Sequence, residues 1–177
     1  MTQAFEQSYL FTHKQENGAA DKFILSTLQG EHSETFSGIF RGAQPQWPGW
    51  KLIDAGDRDS QELKSLEKGF FFEEFWLRMK CEQLPFPLSA LVYDFGVNSG
   101  RTTAVKALQR LLALSPSEID GIIDANTIAK VRGLHPEKLN MRYLAARLDF
   151  LNDLSGWKIN SGGWSQRIVE LLRLAAQ

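Results

Sequence analysis

Cysteine is almost missing from this sequence. Cys81 is the single thiol among 177 residues, so no intramolecular disulfide can form and a cysteine-based metal site is not expected. Without a histidine beside it in Met79-Lys80-Cys81-Glu82, it reads as a buried structural thiol. Histidine is scarce too: His13, His32 and His135 stand at no ligating spacing of the His-x-x-x-His kind. No Gly-x-x-x-x-Gly-Lys-Ser/Thr loop is present to cradle a phosphate, and no Gly-x-Ser-x-Gly turn to raise a nucleophilic serine. No window approaches the roughly 18 apolar residues of a membrane span. Charge of one sign is not in excess either. Lys plus Arg total 20 and Asp plus Glu total 21, a net charge of −1, which argues against binding nucleic acid through phosphate neutralisation. Met1-Thr2-Gln3-Ala4-Phe5-Glu6-Gln7 carries no basic region followed by an apolar core, so no Sec-type signal peptide is expected. These absences predict a soluble protein made in the cytoplasm, without a cofactor, metal or membrane insertion. Ordinary carboxylate chemistry is what they leave.

The composition is 43% hydrophobic and 11% aromatic, and the length fits one domain or two small lobes around a proper core. From about residue 59 the chain reads as helical. Asp59 and Glu62 resemble a capping box, and Leu63, Leu66 and Phe70 follow at helical spacing, with Gly69 a candidate break. Phe71, Phe75 and Met79 continue the stripe. Leu88, Leu91, Val92 and Phe95 give an amphipathic helix ending near Ser99-Gly100, and Ala104, Val105, Leu108, Leu111 and Leu112 give the next. Ser115-Pro116-Ser117-Glu118 is a helix start signal. Met141, Leu144, Leu148 and Leu151 mark a longer helix, and Trp164, Ile168, Leu171 and Leu172 the last. No sustained period-2 alternation occurs, so any strands are short.

The first 58 residues differ. After a short helix around Phe5 and Tyr9 comes a segment punctuated by Gly18, Gly30, Gly38, Gly42, Pro45, Pro48, Gly49 and Gly56. A long ordered loop in a compact domain is usually functional, which directs attention to residues 16–50. Its titratable groups are Glu16, Asp21, Glu31, His32 and Glu34, with Trp47 and Trp50 around Pro48-Gly49. Carboxylates beside flat rings suit carbohydrate chemistry, in which an acid protonates a leaving oxygen and a ring faces sugar C–H groups. The bland alternative is that the glutamates are solvated and the tryptophans anchor the loop.

The order of motifs resembles glycoside hydrolase family 108, the N-acetylmuramidase-type lysozymes once called secretion activators. Phe5 in a first helix leads to Glu16-Asn17-Gly18, where the family has Glu-Gly-Gly. Glu34-Thr35-Phe36-Ser37-Gly38-Ile39 is similar to its Glu-Thr-x-x-Gly-Ile segment. The stretch from Pro45 to Asp54 resembles its proline-tryptophan segment. Phe75-Trp76, Leu84-Pro85 and the run from Tyr93 to Gly100 resemble its aromatic helix, Leu-Pro turn and Asp-x-x-x-Asn-x-Gly helix end. Further on, the segments 104–109, 119–123 and 163–167 are similar to the predicted peptidoglycan-binding half of such proteins. Asn17 departs from the family's glycine, the loop from Glu16 to Thr35 is longer, and Leu28-Gln29-Gly30-Glu31-His32-Ser33 replaces an Asp-x-Gly-Gly element.

The resemblance implies a mainly α, lysozyme-like helical fold with a loop-rich N-terminal active-site region. It implies a catalytic region at residues 1–100 and a helical peptidoglycan-binding-like region at 101–177, packed as one unit. The implied activity is a muramidase cleaving the glycan strands of peptidoglycan, of phage or prophage origin and acting on the wall after release. Glu16 would be the general acid, which must be protonated to donate to the glycosidic oxygen and so requires a raised pKa. Asp21, Glu31, Glu34 and Asp94 are candidate second carboxylates. Glu34, Thr35, Asp94, Asn98 and Trp50 are the expected substrate-binding residues, Thr35 and Asn98 as hydrogen-bonders. Apart from the resemblance, Asp94 reads as a structural acceptor and Asn98-Ser99-Gly100 as a helix end. Arg167 is expected to pair with a carboxylate, and Arg41 and Lys51 to supply local attraction to an anionic wall. The competing class is a wall-binding or secretion accessory protein that kept the fold after its site drifted, which the altered loop motivates. A lytic transglycosylase is a third possibility.

Overall fold

Helix α1 (Gln3–Asn17) opens the chain. In the computed structural model, which describes residues 1–27 and 34–176, there follow strands β1 (Leu25–Thr27), β2 (Glu34–Phe36) and β3 (Ile39–Phe40) and helices α2 (Gly49–Asp54) and α3 (Gln61–Phe71). A π-helical turn (Phe72–Leu77) leads into α4 (Leu88–Ser99), α5 (Arg101–Leu111), α6 (Ala125–Arg132), α7 (Pro136–Asn152) and α8 (Trp157–Ala175). The described residues are thus mainly α, 65% helical with one small sheet, as expected of a lysozyme-like fold. None of the described helices is long and apolar enough to cross a membrane.

By packing, the chain divides into two units, one of residues 9–74 and the other of residues 1–8 with 75–177. The boundary expected at residue 100 falls inside the second unit, between α4 and α5, which pack on each other.

In the larger unit α4 is the central element. Every residue from Leu88 to Gly96 is buried, because its apolar side chains run all round the helix and need cover on every side. α5 and α7 supply that cover, and α8 packs on α7. Leu91, Leu108, Tyr143 and Leu171 are at or near zero exposure, each such burial worth about 1.5–3 kcal/mol. Phe5, Trp76 and Tyr93 meet edge to face at 5.5–5.9 Å, a geometry that adds about 0.5–1.5 kcal/mol per pair. Cys81 is buried, as its surroundings predict, and burial pushes its thiol well up.

In the smaller unit β2 pairs with β1 and β3, both antiparallel, in the order β1-β2-β3. Ser37 and Gly38 make the β2–β3 turn with φ of 44° and 91°, the double-positive pattern that matches the twist of a two-residue hairpin. Rings then run in succession from Phe23 to Phe36 to Trp47 to Trp50, with centroids 5.1–6.0 Å apart. These strands are too short to show alternation, consistent with their silence in the sequence.

Several local expectations change in detail. Ser60, not Asp59, caps α3: its hydroxyl accepts from the Leu63 N–H at 3.0 Å, while Asp59 pairs with Lys64. Gly69 does not break the helix but lies inside it. The Ser115/Glu118 capping box forms, yet heads only a single 3-10 turn, Pro116–Glu118.

Candidate active site

Glu16 sits exposed in the last turn of α1. That helix end is held by Tyr9, His13 and Asn17, which recur every fourth residue and are all buried. Glu67 of α3, at 0% exposure, receives them: the Tyr9 hydroxyl donates to its Oε2, and His13 Nδ1 lies 3.2 Å from its Oε1. His13 Nε2 reaches the carbonyl oxygen of Lys22 at 2.8 Å. The His13 ring also packs on Phe23 at 4.7 Å. Gly18 closes the helix at φ 83°, its N–H bonding back to Lys14 O at 2.8 Å, the left-handed end that glycine tolerates. The segment leaving Glu16 is thereby tied to two helices through one imidazole. Asn17, which stands in place of a family glycine, is absorbed into this arrangement, its Nδ2 3.3 Å from His13 O.

Further along the same unit, Glu34 opens β2. Its Oε2 lies 3.0 Å from Arg41 Nε, an ion pair rather than an aligned hydrogen bond. Arg41 Nη2 donates to Asp54 Oδ1 at 2.6 Å, and the guanidinium lies 4.5 Å above the Trp50 ring. Arg41 is therefore committed to local carboxylates. Thr35, half-buried, points to the other side of the strand from Glu34 and Phe36. Trp50 is buried, donates from Nε1 to Gln44 O at 2.8 Å and meets Trp47 edge-on. Asp21 is exposed in the turn after Glu16. Glu31 and His32 lie outside the described residues.

The larger unit holds Asp94 and Asn98. Asp94 is at 0% exposure. Arg147 Nη1 donates to its Oδ2 at 2.5 Å, and Arg167 grips both oxygens, with Nη2–Oδ1 at 2.8 Å and Nε–Oδ2 at 3.0 Å. Burial alone would raise this carboxyl; the two guanidiniums more than offset it and hold it at about 2. Arg167 is thus paired with a carboxylate, as expected. Asn98 is half-buried near the end of α4, its Oδ1 3.4 Å from Arg147 Nη2. Gln109 likewise serves a turn, donating to Asp120 Oδ1 and accepting from the Gly121 N–H, both at 2.9 Å.

Sequence reasoning missed the buried His13–Glu67 pair. Its one signal is the spacing Phe5, Tyr9, His13, Asn17, an i+4 stripe that turns from apolar to polar while staying on one helix face. Among the described residues no group of three or more His, Cys, Asp or Glu side chains could hold a metal ion.

A family match covers this region. The family described as Glycosyl hydrolase 108 matches residues 11–100, which includes Glu16, the sheet, α3 and α4. The chain belongs to that glycoside hydrolase family. Among solved structures it is similar to SagA of Brucella abortus, with a TM-score of 0.73 at 23% identity, over 97% of this chain and 93% of that one. That likeness concerns the fold. Comparison with curated proteins gives no match. Residues 101–177 lie outside the family match.

Proposed function

We propose that the protein is a muramidase that hydrolyses the glycan backbone of peptidoglycan between N-acetylmuramic acid and N-acetylglucosamine. Glu16 is the general acid that delivers a proton to the glycosidic oxygen. Glu34, which opens β2 in the same unit, is the second carboxylate, acting on water or on the anomeric carbon. Thr35 hydrogen-bonds sugar or water. Trp50 and Asp94 support the framework instead of touching sugar, because a backbone carbonyl and buried guanidiniums already occupy their polar groups. Residues 101–177 hold the enzyme to the wall, which it reaches after release from the cytoplasm.

The observation that carries this reading is the fixed end of α1. A general acid must be held within hydrogen-bond reach of its leaving oxygen, and the His13–Glu67–Lys22 linkage holds the turn bearing Glu16. Asn17 also weakens the case for a drifted site, since the departure is packed and hydrogen-bonded rather than disruptive.

Digestion of purified peptidoglycan followed by mass spectrometry tests the reaction. Reducing N-acetylmuramic acid ends, convertible by borohydride, are expected. Anhydro ends, lighter by one water, would identify a lytic transglycosylase. Reducing N-acetylglucosamine ends would place the cut at the other linkage. Intact glycan with protein retained on the wall would favour a binding protein.

A further inference from the structure

A pocket of about 380 Å³ opens in the smaller unit between the turn before α2 and one face of α3. Its volume lies within the roughly 300–1,000 Å³ typical of small-molecule sites. Gln44, Gln46 and Trp47 line it from the turn, and Phe70, Glu73 and Glu74 from α3 and the π-helical turn. It is distinct from the Glu16 region. Leu63, Glu67 and Phe71 make the buried stripe of α3, and Glu67 is the residue that grips α1. On the same helix Leu66 sits about 100° and Gly69 about 160° around from Glu67, with Phe70 about 60° away.

Three features make this a built site. Side-chain amides, carboxylates and two aromatic groups converge on one concavity. The backbone departs from α-helix at Phe72–Leu77, and such π turns are frequent at functional sites. Gly69 leaves the wall open, since a Cβ placed there would meet nothing within 4 Å.

We propose that this pocket is a second saccharide-binding site, for a neutral N-acetylhexosamine unit of the glycan. Carboxylates accept from sugar hydroxyls, primary amides donate to and accept from an acetamido group, and the apolar wall covers C–H faces. The exposed Glu73 repels anions, so the pocket selects a neutral sugar over one bearing a free carboxylate. The inference deepens the proposed function and rests on the substrate being glycan. It gives the enzyme a hold on the strand away from the scissile bond, so that binding energy from remote units orients the reacting one.

The test is an NMR titration of the full chain with the N-acetylglucosamine tetramer. It follows the indole N–H of Trp47 and the side-chain amides of Gln44 and Gln46. These signals are expected to shift on saturation, and to do so equally in Glu16→Gln. Gly69→Leu fills the opening from a helical position where a Cβ meets nothing within 4 Å, and should weaken the affinity read at these signals tenfold or more. Glu73→Gln, at an exposed position, should weaken it several-fold. Signals that stay still with the tetramer, or that move only with 1,5-diaminopentane, would overturn the saccharide assignment. Unchanged affinity in both variants would overturn the location. A protein that binds the tetramer here yet cleaves no glycan retains this site and loses the proposed reaction. One that cleaves glycan while these signals stay still loses only the site.

Discussion

His13 Nε2 lies 2.8 Å from the carbonyl oxygen of Lys22, while Nδ1 of the same ring lies 3.2 Å from Glu67 Oε1. A carbonyl only accepts, so Nε2 must carry a proton. Nδ1 faces Glu67 Oε1 in a buried contact, with the Asn17 amide nitrogen 3.3 Å from the same ring atom. With the Tyr9 hydroxyl on Oε2, every polar atom of this buried pair is engaged. The pair joins α1, α3 and the segment that follows Glu16.

Glu67→Ala should therefore cost about 3 kcal/mol or more, because it leaves the Tyr9 hydroxyl and His13 Nδ1 buried without Glu67. Glu67→Gln should cost clearly less, since its carbonyl can still accept from Tyr9 and its amide can donate to a neutral Nδ1. Urea unfolding of both variants measures the difference. Equal losses would mean that the carboxylate itself, which both variants lack, holds the junction, and not hydrogen bonds that an amide can replace.

Arg41 bridges Glu34 and Asp54 across the face of Trp50. Its side chain is 15% exposed and that of Glu34 is 27% exposed, so the pair should contribute only about 1 kcal/mol to stability. Its effect on reactivity should be larger. Arg41→Gln should lower the rate of wall lysis about tenfold with little change in melting temperature, because it releases Glu34 from its place in the strand. Arg41→Lys should recover part of that rate, lacking the planar fork that holds two carboxylates at once. Lysis assays beside thermal melts separate the two effects.

Asp94 ties α4 to Arg147 of α7 and Arg167 of α8. Its carboxyl is lower in the folded protein, at about 2, than the ordinary value of 3.8. The stability it contributes is thus full above pH about 4 and is lost as pH falls through about 2. Asp94→Asn should remove the acid-dependent part and destabilise the protein by about 3–5 kcal/mol at neutral pH, because two buried guanidiniums lose their counter-charge. Denaturation followed from pH 7 to pH 2 checks both the size and the sign.

Two buried glycines should respond differently to alanine. A Cβ at Gly49 would stand 2.2 Å from the Trp47 ring, which is fixed between Phe36 and Trp50. A Cβ at Gly96 would stand 2.5 Å from the end of the flexible Met79 side chain. Gly49→Ala should cost about 1–3 kcal/mol through overpacking, and Gly96→Ala less. Calorimetric melting of the pair measures the difference.

Much of the helical part was legible because its signal is local. The apolar run of α4 and the ends at Ser99-Gly100 announce themselves within a few residues. What lay beyond reach depends on distance along the chain. Glu67 looks like any surface glutamate of an amphipathic helix until Tyr9 and His13, over fifty residues away, enclose it. Asp94 carried the signature of a family motif, and only α7 and α8 show that two arginines enclose it. Trp50 read equally as sugar platform or loop anchor; the carbonyl of Gln44 and the guanidinium of Arg41 supply the anchoring contacts. Within the candidate site, sequence located Glu16, Glu34 and Thr35 in one stretch, and the structure adds the buried residues that hold that stretch.

The central claim is that Glu16 donates the proton. Turbidity of a purified peptidoglycan suspension, followed with wild type beside Glu16→Gln, tests it most directly. Because Glu16 is exposed, the variant should melt within about 0.5 kcal/mol of wild type, while clearing slows by about 100-fold or more. Clearing by Glu16→Gln at the wild-type rate would contradict the account.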